Sequence, residues 1–128
     1  MVTKKFWAIL ILIIIVGGLA TFEQVYTDRT VATLKTDITT LHTLIDSNNL
    51  EQSKVKSQKI IDFWKERETI ICLFVDYRDI ESIGKQADLV KSHLENEDFE
   101  LAKVECNTLQ HVVVTFGEMV GFDWHNIF

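Results

Sequence analysis

The chain has 128 residues, 47% of them hydrophobic, with 13 basic and 19 acidic side chains and a formal net charge of −6. That length holds about one domain, and no Pro with only 5 Gly leaves too few turn-makers for a many-stranded sandwich or barrel. Lys4 and Lys5 precede an uncharged run over residues 6–22, and all the acidic residues follow it. The remainder therefore has eight more acidic than basic side chains and repels phosphate backbones, which excludes ordinary nucleic-acid binding.

The run FWAILILIIIVGGLATF reads as a membrane anchor over residues 1–22, or alternatively as a secretory signal peptide. Gly18-Leu19-Ala20 resembles a small-x-small cleavage site. Against cleavage, Phe22, Val25 and Tyr26 continue amphipathically, and Phe6 and Trp7 stand where interfacial aromatics are expected. Either way the positive-inside bias keeps Lys4 and Lys5 in the cytoplasm and places residues 23–128 outside it, as one extracytoplasmic domain of a single-pass protein of the cell membrane. The first cysteine is Cys72, so no lipobox follows the run. The cytoplasmic part is about five residues, too few for a signalling domain.

Beyond the run the periodicity predicts four helices, hence an all-α chain: one transmembrane helix leading into an up-down-up-down four-helix bundle. Val31, Leu34, Ile38, Leu41 and Ile45 form the first stripe, spaced 3, 4, 3, 4. Asp46 to Asn49 stop that helix, and Asn48 with Glu51 predicts a capping box for the next. The second helix is expected from Leu50 to Tyr77, with Ile61, Trp64, Ile71 and Val75 on one stripe and Ile60, Phe63, Ile70 and Phe74 on another. Asp76 and Asp79 predict caps for a third helix carrying Ile80, Ile83, Ala87, Val90 and Leu94. Phe99, Ala102, Cys106, Leu109, Val113, Phe116 and Val120 mark the fourth. His111 to Phe116 would also suit a buried strand, but no partner strand exists and the stripe passes through without interruption.

Residues 45–55 match residues 94–104 at an offset of 49: an apolar residue, a polar turn, Leu or Phe, then a small residue, Ser53 or Ala102. Eleven positions do not establish a duplication, but they fix the phase of two stacked hairpins. That phase sets Cys106 level with Ser57, about 22 Å along the helix from Cys72, too far for a disulfide. Both thiols are expected to be free.

Trp64, the segment Leu73 to Ile83, the acidic turn Glu95 to Glu100 and the terminal Asn126-Ile127-Phe128 resemble the domain-of-unknown-function 4363 family. The resemblance runs through nearly the whole chain in order, on individually loose motifs. It implies a small protein of Gram-positive, often spore-forming bacteria, with one N-terminal membrane segment and an outer helical domain. The family's Asp-His turn between the second and third helices departs here: Asp76 and Asp79 fit, but Tyr77 replaces the His and Arg78 is basic. The resemblance carries topology and no activity; its gene neighbourhoods imply an integral membrane partner.

No constellation in the chain supports chemistry, so no catalytic, metal-binding or cofactor-binding residue is expected, and no cofactor. His93 and His111 lack the Glu three positions earlier that a di-metal bundle needs, and the acidic run from Glu95 lacks calcium-loop spacing. Glu68 is the one charge on the inner stripe of the second helix, and burial there would demand a partner. At the membrane-proximal end the returning helices become apolar all round, and Met119, Phe122, Trp124 and Phe128 follow. Two accounts stay open for this tail. It caps the core, or Phe122, Trp124 and Phe128 dock against headgroups or a neighbouring membrane protein. The functional expectation is a membrane-tethered extracytoplasmic interaction or accessory module without catalytic activity, assisting an integral membrane partner. The alternative is a bundle that binds or senses a small molecule and acts through a partner.

Overall fold

The computed structural model describes the backbone of residues 3–127 and the side chains of residues 3–120. Four helices follow one another: α1 (Lys4–Asp46), α2 (Leu50–Ile71), α3 (Tyr77–Glu95) and α4 (Phe99–Ile127), with no strand among the described residues. His111 to Phe116 is helical, since its β-branched residues extend a stripe already committed to the core.

Each helix packs against its neighbours in sequence, and α1 closes the ring against α4. The result is a four-helix bundle. Its core is the predicted stripes of α1 and α3 with most of those of α2 and α4, Leu34, Ile45, Val90, Leu94, Cys106 and Val113 being fully out of water. Each such Leu or Ile contributes about 1.5–3 kcal/mol by leaving solvent. Of the expected second stripe of α2 only Ile60 is buried; Phe63 and Ile70 are partly so and Phe74 is exposed, because the chain leaves the helix after Ile71. Trp64 reaches across the bundle to Phe116, edge-to-face at 6.1 Å and 84°, tying α2 to the helix diagonally opposite.

α1 has two halves with opposite environments. The side chains of Lys4 to Leu19 are exposed, and its first buried residue is Thr27. An 18-residue window of this helix has a mean hydropathy of 2.3 with none of it covered, so α1 is long and apolar enough to cross a membrane. Its second half supplies a quarter of the bundle without a break at the junction. Five Thr hydroxyls on its exposed face donate to the carbonyl four residues back, Thr39 to Lys35 at 2.8 Å for example, and so cost the helix no backbone bond.

Two predicted boundaries move. Asn48 is not the N-cap of α2; it takes φ 55°, the left-handed residue that ends α1, and Asn49 caps α2 by accepting from the Gln52 N–H at 3.2 Å. The polar quartet must first close one helix before opening the next, so the cap falls one residue later. α2 ends at Ile71 rather than Tyr77. The N–H groups of Leu73, Phe74 and Val75 fold back onto Ile70 and Ile71, freeing Asp76 to cap α3 through the Arg78 N–H at 3.0 Å. That bond, with the Arg78 guanidinium, holds the Asp76 carboxyl below its ordinary pKa.

The offset of 49 extends far beyond eleven residues. Val31, Leu34, Ile38, Leu41 and Ile45 of α1 fall on Ile80, Ile83, Ala87, Val90 and Leu94 of α3, and Ser53, Ser57, Ile60, Trp64 and Ile71 of α2 fall on Ala102, Cys106, Leu109, Val113 and Val120 of α4; all are buried. Both hairpin turns use one bonding pattern: Asn48 to Ile45 and Asn49 to Leu44, then Glu97 to Leu94 and Asp98 to His93, with Glu97 at φ 58°. Even the polar bonds inside the hairpins correspond. Lys56 reaches Asp37 at 2.9 Å in the first, and Gln86 reaches Glu105 at 2.6 Å in the second, with donor and acceptor exchanged. The bundle is built from two similar helical hairpins.

Candidate functional site

Two such hairpins meet along two equivalent seams, α1 against α4 and α2 against α3, and the seams differ. On the first, Gly117 sits so close to Val31 that a Cβ there would lie 2.9 Å from Val31 Cγ1. The counterpart of Gly117 on the second is Glu68. Each seam has a groove, of about 190 Å³ over Ile38, Cys106 and Gln110 between α1 and α4 and of about 200 Å³ between α2 and α3, and Glu68 stands at the rim of the second.

Its floor is Ile61, Trp64, Gly84 and Ala87, and its rim is Lys65, Glu68, Tyr77, Glu81, Lys85 and Asp88. Gly84 stands where the first hairpin has Lys35, and the indole lies against it: a Cβ at 84 would be 3.7 Å from Trp64 Nε1. That buried N–H has no hydrogen-bond partner. Lys85 is paired with Glu81 at 2.9 Å, which raises the lysine pKa through the hydrogen bond and the neighbouring charge. Glu68 is half-buried at the rim rather than sealed in the core.

The second unusual region is the bundle's near end. Arg67 lies over the rings of Phe63 and Tyr26, at 4.9 and 5.5 Å, and Tyr26 stacks on Phe22 at 5.6 Å. Glu23, Phe74, Val75, Asp76, Asp79, Met119 and Val120 line a cleft of about 190 Å³ there, and burial raises the Glu23 pKa. Phe122, Trp124 and Phe128 lie outside the residues whose side chains are described.

Cys72 is exposed and Cys106 is buried, both free; burial, with the charge of Asp46, pushes the Cys106 thiol up to about 12. Among the described residues no group of three or more His, Cys, Asp and Glu side chains could hold a metal ion. Sequence reasoning found Glu68 and missed the groove around it. The signal was available: extending the offset of 49 pairs Glu68 with Gly117 and Gly84 with Lys35, places where one copy has a long side chain and the other none.

A family model described as a domain of unknown function (DUF4363) matches residues 21–127, from the end of the apolar run through α4. The chain belongs to that family. No curated protein matches it, and no solved structure does. The DUF4363 match thus covers the whole bundle, both seams included, and stops where the exposed half of α1 begins.

Proposed function

We propose that this DUF4363 protein is a single-pass, membrane-tethered module whose bundle stands outside the cytoplasm and assists an integral membrane partner without catalysis. One observation carries the reading: a single unbroken helix is uncovered and apolar over its first half and forms part of a packed bundle over its second. Nothing flexible separates the two, so the bundle is presented at a fixed height, which suits docking on a neighbour in the same membrane. The orientation rests on Lys4 and Lys5 ahead of the run. Phe122, Trp124 and Phe128 remain the candidate docking residues.

A second reading has its own observation. The α2–α3 seam has a groove beside Trp64, whose buried N–H lacks a partner, and a bound small molecule with an acceptor would supply one. Under that reading the bundle senses a ligand and acts through its partner.

Protease added to intact, wall-stripped cells should digest the bundle, and mild detergent extraction should recover it with an integral membrane protein. Trp124→Ala with Phe128→Ala should abolish that recovery while leaving the melting temperature nearly unchanged. A soluble product beginning near Thr21 would show a cleaved signal peptide instead. Recovery that is intact in this variant but lost in Glu68→Gln would shift the site to the groove.

A further inference from the structure

The residues left exposed at the near end of the bundle include its largest apolar ones. Leu73 is 74% exposed, Tyr77 67%, Phe22 50%, Val25 44%, Met119 41% and Phe74 36%. They come from α1, the α2–α3 connection and α4, and together they make one apolar rim around the base of the tether.

The height of that rim is set by contacts on α1. Arg67 stacks over Tyr26, and α2 runs one more turn to Ile71, about 6 Å further toward the apolar run. Phe74 and Val75 share a cleft with Glu23, the first charged residue after the run, which fixes the same level independently. The α2–α3 connection is therefore held beside residues 22 and 23. The length of the run decides what meets it there. Residues 6–22 span about 25 Å as a helix, while a bilayer's hydrocarbon is about 30 Å thick. The shortfall of about 5 Å is small enough for the bilayer to thin locally, which leaves the outer boundary at residues 22 and 23.

We propose that the α2–α3 connection, led by Leu73 and Phe74, lies in the lipid headgroup layer, so that the base of the bundle is a second membrane contact beside the tether; this rests on the single-pass reading above. Aromatic and aliphatic side chains at this depth gain by leaving water while neighbouring polar groups stay hydrated. Asp76 does not oppose it as a bare charge, because it caps α3 and pairs with the Arg78 guanidinium at 3.2 Å. The lipid surface is the occupant that the geometry favours, since the rim continues the uncovered surface of α1 at the level where that surface ends.

The native thiols supply the probe. Cys72 adjoins Leu73 and is exposed, whereas Cys106 is fully buried, so a thiol-reactive, environment-sensitive fluorophore marks Cys72 alone in the folded chain. With the full chain reconstituted in phosphatidylcholine vesicles, the label should shift its emission to the blue. Nitroxide carried on a lipid headgroup should quench it, and it should be several-fold protected from iodide. Leu73→Asp with Phe74→Asp should reverse all three while the chain stays with the vesicles and keeps its helical signal. Leu73→Ser replaces the pair should that variant unfold.

A wild-type label open to iodide and untouched by the nitroxide lipid, in a chain that resists alkaline extraction, overturns the proposal. So does a label that stays in lipid in both variants. Protection found in native membranes and absent in vesicles means that a protein covers the rim, and overturns the lipid assignment. A chain released by alkaline extraction overturns the tether, and the headgroup contact with it.

Discussion

Ser53 and Ala102 hold the same place in the two hairpins, and each is completely buried. Only one carries a hydroxyl, and Ser53 Oγ has no hydrogen-bond partner. A small residue is needed at both, because the helix that begins after each turn must approach its neighbour closely. A polar one is not. Leaving a hydroxyl out of water and unpaired costs about 1–3 kcal/mol, partly offset where it can turn toward a carbonyl of its own helix. Ser53→Ala, which copies the second hairpin into the first, should raise the stability of the full chain in detergent by about 1 kcal/mol. The reverse substitution, Ala102→Ser, should lower it. Denaturant midpoints measured at constant slope test both; a loss of stability in Ser53→Ala would show that the hydroxyl is satisfied in solution.

The elements follow their stripes closely because a core position in a four-helix bundle depends only on phase along the helix. Every residue of the stripe Val31, Leu34, Ile38, Leu41, Ile45 is buried, as are Ile80 to Leu94 and Ala102 to Val120 at their predicted spacings. The ends were less legible. A run such as Ile70 to Val75 is apolar enough for helix or turn, and what ends α2 is the capping by Asp76 of the helix that follows. Least legible was the groove, since the distance between two helices depends on side-chain size at one crossing point. Each seam is open to test at its own glycine. A Cβ at 117 would meet Val31 Cγ1 at 2.9 Å, and a β-branched side chain held at one rotamer cannot swing aside. Gly117→Ala should therefore destabilise by about 1–3 kcal/mol, as overpacking does, despite the better helix propensity of Ala. A Cβ at 84 meets the Trp64 indole at an ordinary 3.7 Å, so Gly84→Ala should stabilise by up to about 1 kcal/mol. Opposite signs from one substitution type would confirm that Val31 closes in on Gly117 while Gly84 has room. Equal signs would mean that the two glycines have similar room.

At the scale of the whole molecule, a bundle of two similar hairpins raises the question of whether each folds alone. The contacts argue that it does not. The stripes of α1 and α2 are covered by α4 and α3, Trp64 of the first hairpin packs on Phe116 of the second, and the Cys106 thiol lies 3.9 Å from the Ile38 carbonyl of α1. Opening either hairpin exposes half of a core that belongs to both, so the free energy of local opening should equal that of global unfolding. Two probes on different copies read this. With Trp7→Phe and Trp124→Phe, fluorescence follows Trp64 in the first hairpin. Alkylation of Cys106, which is buried and has a thiol pKa of about 12, follows the second; Cys72, exposed, reacts at once and checks the reagent. The free energy from the slow alkylation of Cys106 should match that from denaturant unfolding of Trp64, with the same dependence on denaturant. A Cys106 that reacts at markedly lower cost, with a shallow dependence, would show α3 and α4 opening while α1 and α2 stay closed, and would make the two hairpins separate folding units.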